Sequence, residues 1–197
     1  MNKDTGPLPL VAARKEEWIR TETPHRTAEQ PLVTALLAKI HEQLERAGHL
    51  IGCLPDNRLD WTPGYERSWP VGLLLGHLLE CGAGICAVLA AAEPERLSHF
   101  NELRKLPVNH RCSREEALDR MRLYGACLDE AFPLLTDADL SRSIPTVFVP
   151  AGEPILTLLL GNLEHLINHK HQLFLYLRLM GVQVDTGDLY QFRGTVE

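Results

Sequence analysis

Between Glu153-Pro154 and Gly181, apolar residues recur at helical spacing: Leu156, Leu159, Leu163, Leu166, Ile167, Leu173, Phe174, Leu175, Leu177 and Leu179. The pattern predicts one long helix from near Glu153 to Met180, with Gly181 as its C-terminal stop. Such a helix is apolar on more than one face, so it has to be packed by others: one face meets a core, and another is left for a second subunit. A homodimer is therefore expected.

Three further helical patterns supply the packing partners. Leu32, Leu36, Leu37, Ile40, Leu44 and Ala47 define a helix from Pro31 to about Ile51, before Pro55-Asp56-Asn57 breaks the period. Ser68-Trp69-Pro70 reads as an N-cap and first-turn proline opening a second helix to about Ala92. Its Gly72, Gly76, Gly82 and Gly84 weaken intrinsic helicity but let neighbours approach closely. Ser113-Arg114-Glu115-Glu116 predicts a capping box for a third helix, whose stripe of Leu118, Met121, Leu128 and Ala131 runs to about Leu135. Thr136 to Leu140 reads as a short helical turn, and Ile144 to Pro150 as an extended connection. The expected fold is an all-α bundle.

The 197 residues suit one domain. Residues 1–27, with Pro7, Pro9 and Pro24 and a short helical possibility at Ala12 to Arg20, are expected to be an extension. Residues 28–182 form the bundle, and 183–197 a tail without pattern. A net charge of -6 and the lack of a Lys/Arg run argue against nucleic acid as a partner. His77 and Glu80 interrupt one apolar stretch, and Glu164 to Gln172 the other, before about 18 charge-free residues accumulate. No membrane partner and no secretory leader are expected, and the protein is placed in the cytoplasm. The five cysteines are odd in number and lack CxxC spacing, so they read as reduced thiols.

The chemistry concentrates in Glu164-His165-Leu166-Ile167-Asn168-His169-Lys170-His171-Gln172. His165 and His169 lie one helical turn apart on one face, whereas His171 points elsewhere. Histidines four apart also occur as surface or hydrogen-bonded core residues, so the pair alone leaves both roles open. A third ligand should come from another helix with an otherwise apolar face. His77, within Leu73-Leu74-Leu75-Gly76-His77-Leu78-Leu79, meets that description. It too could be a core histidine bonded to a carbonyl; together, the three favour a metal site.

Trp61-Thr62-Pro63, then Ser68-Trp69-Pro70-Val71-Gly72-Leu73-Leu74-Leu75-Gly76-His77-Leu78, then His165-Leu166-Ile167-Asn168-His169 with Gln172, Tyr176-Leu177-Arg178 and Gly181, resemble the DinB/YfiT-like superfamily of metalloenzymes from about Leu32 to Val182. The resemblance implies a four-helix bundle, often homodimeric, in which His77, His165 and His169 bind one divalent ion such as nickel, zinc or iron. One departure is His169-Lys170-His171-Gln172, where family members frequently carry an HRGQ-like string. The resemblance further implies thiol-dependent S-transferases or isomerases, with a small-molecule substrate or low-molecular-weight thiol as partner.

Three imidazoles leave a coordination position open, as in a catalytic site, so a bound water or a substrate thiol could ionise near neutral pH. A hydrolase is the companion expectation. The alternative is a non-catalytic metal- or ligand-binding bundle, such as a stress-response protein. Cys81, one turn beyond His77, is either a fourth ligand or an inert buried thiol, and His41 is a further ligand candidate or a solvated residue. Asn162 and Tyr176, on the His165/His169 stripe, are expected to line a pocket. Glu80 and Glu164 flank the ligands off their faces, and Arg178 either orients an anion or forms a surface salt bridge.

Overall fold

The structure, a computed structural model, describes residues 30–146 and 149–190. The expected extension 1–27 with its possible helix, residues 147–148 of the connection and residues 191–197 of the tail lie outside the described residues.

Four long helices carry the fold: α1, Pro31–Gly52; α2, Val71–Ala92; α3, Arg114–Ala131; and α4, Ile155–Leu179. α2 packs on α4 and α3, and α1 packs on α3 and α4. Ile40, Leu74, Leu78, Leu128, Leu166 and Leu173 meet in the interior with no exposed surface; burying one such side chain contributes about 2 kcal/mol. Strand content is limited to Ser143–Ile144 (β1) paired antiparallel with Glu153–Pro154 (β2), which closes the connection into α4.

The predicted α1 and α4 appear with their ends within two residues of expectation. α3 passes at Ala131 into a 3-10 turn, Phe132–Leu134, and another 3-10 turn, Asp139–Ser141, occupies the predicted short helical stretch. The polar segment 93–111 also holds a 3-10 helix, Ser98–Lys105, anchored by buried Phe100 and Leu103.

One predicted cap is corrected, and one predicted capping box is half formed. Ser68 does not cap α2: its hydroxyl donates to the Tyr65 carbonyl at 2.7 Å, and the helix starts after Pro70. No side-chain cap is needed, because the Val71 and Gly72 amides donate to the Trp61 and Leu59 carbonyls at 3.0 and 2.8 Å. At α3, Ser113 accepts from the Glu116 amide at 3.1 Å as predicted. The Glu116 carboxylate, which should close the box, instead meets His110 Nε2 at 3.0 and 3.1 Å.

α2 is long and apolar enough, by length and composition alone, to cross a membrane, which the interruptions at His77 and Glu80 were expected to prevent. In the fold, 61% of its most apolar stretch is buried against its neighbours. Its glycines explain how they come so close. A Cβ at Gly82 would run into the Tyr124 ring, one at Gly84 into the Asn162 amide, and one at Gly76 into the His110 carbonyl. The loop 109–112 therefore lies directly on α2, with the Asn109 amide bonded to Gly76 O and the Cys112 amide to Gly72 O, both at 3.0 Å.

The expected patternless tail also gains structure in its described part. Asp185 caps a short helix, Thr186–Leu189 (α5), through a capping box. That turn packs on α1 and α4 through Leu189, and Asp188 reaches His49 at 2.5 Å.

Candidate metal centre

α2 and α4 run side by side, and this brings His77 against His165 and His169. One ligating atom from each lies within 4.8 Å of the other two, at half-buried positions. The imidazole centroids are 4.4 to 4.9 Å apart and stand edge to face. The i, i+4 spacing on α4 is sufficient for the pair; the third imidazole needs the α2/α4 packing.

Two of the outward nitrogens are held by acceptors. His77 Nδ1 meets Asn109 Oδ1 at 2.5 Å and Glu80 Oε2 at 3.2 Å, so Nδ1 carries the proton and Nε2 the lone pair. His169 Nδ1 likewise donates to Gln172 Oε1 at 2.9 Å, and Gln172 Nε2 donates on to the Tyr176 hydroxyl at 3.2 Å. His165 Nε2 faces His77 Nε2 at 3.0 Å. Two ring nitrogens at that separation repel unless a proton or a cation lies between them. Burial, then the neighbouring His77, holds the His165 imidazole below its usual pKa; burial does the same at His169, against the Gln172 hydrogen bond. With Nδ1 of His77 and His169 engaged, their Nε2 lone pairs turn inward, an arrangement that fits a divalent cation.

Trp69 forms the rim. Its ring stacks on His169 at 6.0 Å and 18° and stands edge-on to His77 at 4.8 Å. Tyr176 is buried, with its ring 5.4 Å from Trp61, and burial raises its hydroxyl pKa. It reaches His169 only through Gln172. Asn162 donates to the Leu158 carbonyl at 2.9 Å and abuts α2 at Gly84, one turn before His165.

The remaining candidates are dispersed. The Cys81 thiol is fully buried, turns back toward the His77 carbonyl at 3.8 Å, and is pushed by burial to a pKa of about 12. His41 pairs with Asp129 across α1 and α3 at 2.8 Å. Arg178 lies over the Phe174 ring at 5.8 Å, and His171 lies beside the same ring.

Asn109 is a residue of the candidate site that the sequence reading missed. It sits 32 positions from His77, and its φ of 56° is left-handed, a conformation that asparagine tolerates better than most residues. Gly76 is a visible hint, since its lack of a side chain admits the loop that delivers Asn109.

The DinB superfamily pattern matches residues 39–173, well over half of the chain and including all three histidines. No curated protein matches. The chain belongs to the DinB superfamily.

Proposed function

From a DinB-superfamily chain with this cluster, we propose a metal-dependent enzyme in which His77, His165 and His169 hold one divalent ion, nickel, zinc or iron, in a four-helix bundle. The observation that carries the reading is the pairing of His77 and His169 Nδ1 with Asn109 and Gln172, which leaves Nε2 of each ring as the free nitrogen. When bound, such an ion supplies Lewis acidity that brings a water or a substrate thiol to ionisation near neutral pH. The residues of this chain do the rest: Asn109, Glu80 and Gln172 fix ring orientation, while Trp69 shields one side of the cluster.

A small-molecule substrate is supported by a cleft of about 570 Å³ lined by Ala83, Gly84, Ala87, Leu158 and Glu80, whose carboxylate also meets the outward nitrogen of His77. The reaction we propose is S-transfer with a low-molecular-weight thiol, or hydrolysis. A homodimer belongs to the same reading, supported by Leu156, Leu160 and Ile167, which are 37–47% exposed on one face of α4. A cytoplasmic setting is supported by five free cysteines.

The test is metal analysis of the purified protein, followed by turnover of an electrophilic acceptor with and without added thiol. Thiol-dependent turnover that chelation abolishes supports the transferase, and thiol-independent turnover supports the hydrolase. Tight metal binding with neither activity favours a non-catalytic metal-binding protein.

A further inference from the structure

A second group of metal-type side chains lies where the loop 109–112 enters α3. His110, Cys112 and Glu116 each offer a ligating atom within 4.8 Å of the other two. Three kinds of donor meet there: an imidazole, a thiol and a carboxylate. The Glu116 carboxylate, which does not close the predicted capping box, sits 3.0 and 3.1 Å from His110 Nε2. The other nitrogen of that ring, Nδ1, is buried without a partner. Cys112 is 1% exposed, and its thiol donates to the Ser113 carbonyl at 3.2 Å.

We infer that His110, Cys112 and Glu116 form a second divalent-metal site, suited to zinc or a similar borderline ion and separate from the three-histidine cluster.

Donor chemistry and charge both favour it. Thiolate, imidazole and carboxylate together are a zinc-type set, and three protein ligands leave a fourth position to water. A coordinated thiol gives up its proton to solvent as the metal–sulfur bond forms. Arg120 brings a cation alongside, with Nη1 3.9 Å from Glu116 Oε1; that nitrogen also donates to the Pro107 carbonyl, and Nε donates to the Tyr124 hydroxyl, each at 3.1 Å. Thiolate and carboxylate would bring two negative charges to the ion, which the Arg120 guanidinium offsets only in part. The His110 and Glu116 side chains, 28% and 29% exposed, open a path for entry. The same loop presents Asn109 to His77, so filling this site would also stiffen the residue that orients the first one.

Cobalt(II) added to the chelator-stripped full-length protein tests the inference, because only a thiolate ligand produces a near-ultraviolet sulfur-to-cobalt charge-transfer band. The expected result is a second equivalent of cobalt accompanied by that band. The band should be lost in Cys112→Ser, weakened in Glu116→Gln, and retained in Cys81→Ser and in the double variant His165→Ala/His169→Ala. Glu116→Gln alters a partly exposed side chain, so it carries the test if Cys112→Ser fails to fold. Absence of the band in the wild type, or its loss with Cys81 rather than Cys112, overturns the second site. Failure of the three-histidine reading shows separately, as a double variant whose cobalt stoichiometry equals that of the wild type.

Discussion

Lys170 and the pair His165/His169 occupy one helix within six residues, and the fold treats these nitrogen bases in opposite ways. Lys170 is 2% exposed, yet its ammonium donates to Gln43 Oε1 at 2.6 Å and to the Leu189 carbonyl at 2.8 Å, and it lies 5.4 Å from the Tyr190 ring centre. Its partners all come from the protein, and they tie α4 to α1 and to the α5 turn. The histidines are only half-buried: His169 has its protein partner on the outer nitrogen, as has His77 opposite, while His165 Nε2 faces His77 Nε2. One proton shared between His77 and His165 still leaves His169 without a donor from the cluster. A buried base with complete partners serves the fold, whereas bases whose lone pairs converge are suited to a ligand from outside.

Substitution should separate the two regions cleanly. His169→Ala is expected to weaken metal binding by ~1000-fold or more, beyond the roughly 10- to 100-fold typical of outer-sphere residues. Metal titration of wild type and variant measures this, and the metal-free denaturation midpoint should barely move. Lys170→Ala should do the reverse: two buried acceptors lose their donor and a cavity opens, for a loss of about 2–4 kcal/mol in denaturant unfolding with metal affinity retained. If His169→Ala destabilises the metal-free fold as much as Lys170→Ala does, the contrast collapses.

Asn109→Gly tests the orienting contact. Glycine keeps the left-handed backbone and removes only the acceptor, so metal affinity should fall roughly 10- to 100-fold with little loss of stability. A change under about twofold would leave Glu80 as the partner that matters to His77.

The two regions should also answer pH in different windows. Burial lowers the Lys170 pKa from 10.5 to about 8, so the unfolded chain binds the extra proton between those values. Stability therefore rises as pH climbs from about 8 to 10.5, by on the order of 2–3 kcal/mol, and Lys170→Met should flatten that rise in pH-dependent melting. His165 and His169 are shifted the same way from 6.5, so the metal-free protein should lose stability as pH falls below that value, by a smaller amount because these rings are partly solvated.

What was legible in the sequence follows the range of the interactions. The four long helices could be read because apolar period and breakers such as Pro55 and Gly181 act locally, and His165 with His169 because one turn of helix sets their relation. His77 could be proposed from its lone place on an apolar face, but its partner came from packing. The α2 cap was misread because carbonyls from residues 59 and 61 replaced the expected serine oxygen. Glu116 was misread because a histidine six positions earlier competed for it. Asn109 and the α5 turn depend on contacts over 32 and 139 positions, which no local pattern records.

Trp69, stacked on one imidazole and edge-on to another, gives the site an optical property of its own. An excited indole this close to a transition ion with a partly filled d shell loses its energy without emitting. Nickel or cobalt should therefore darken its fluorescence stoichiometrically, zinc should change it far less, and Trp69→Phe should remove most of the difference. The rim of the histidine cluster is then also its indicator, and occupancy can be followed in a cuvette without any substrate.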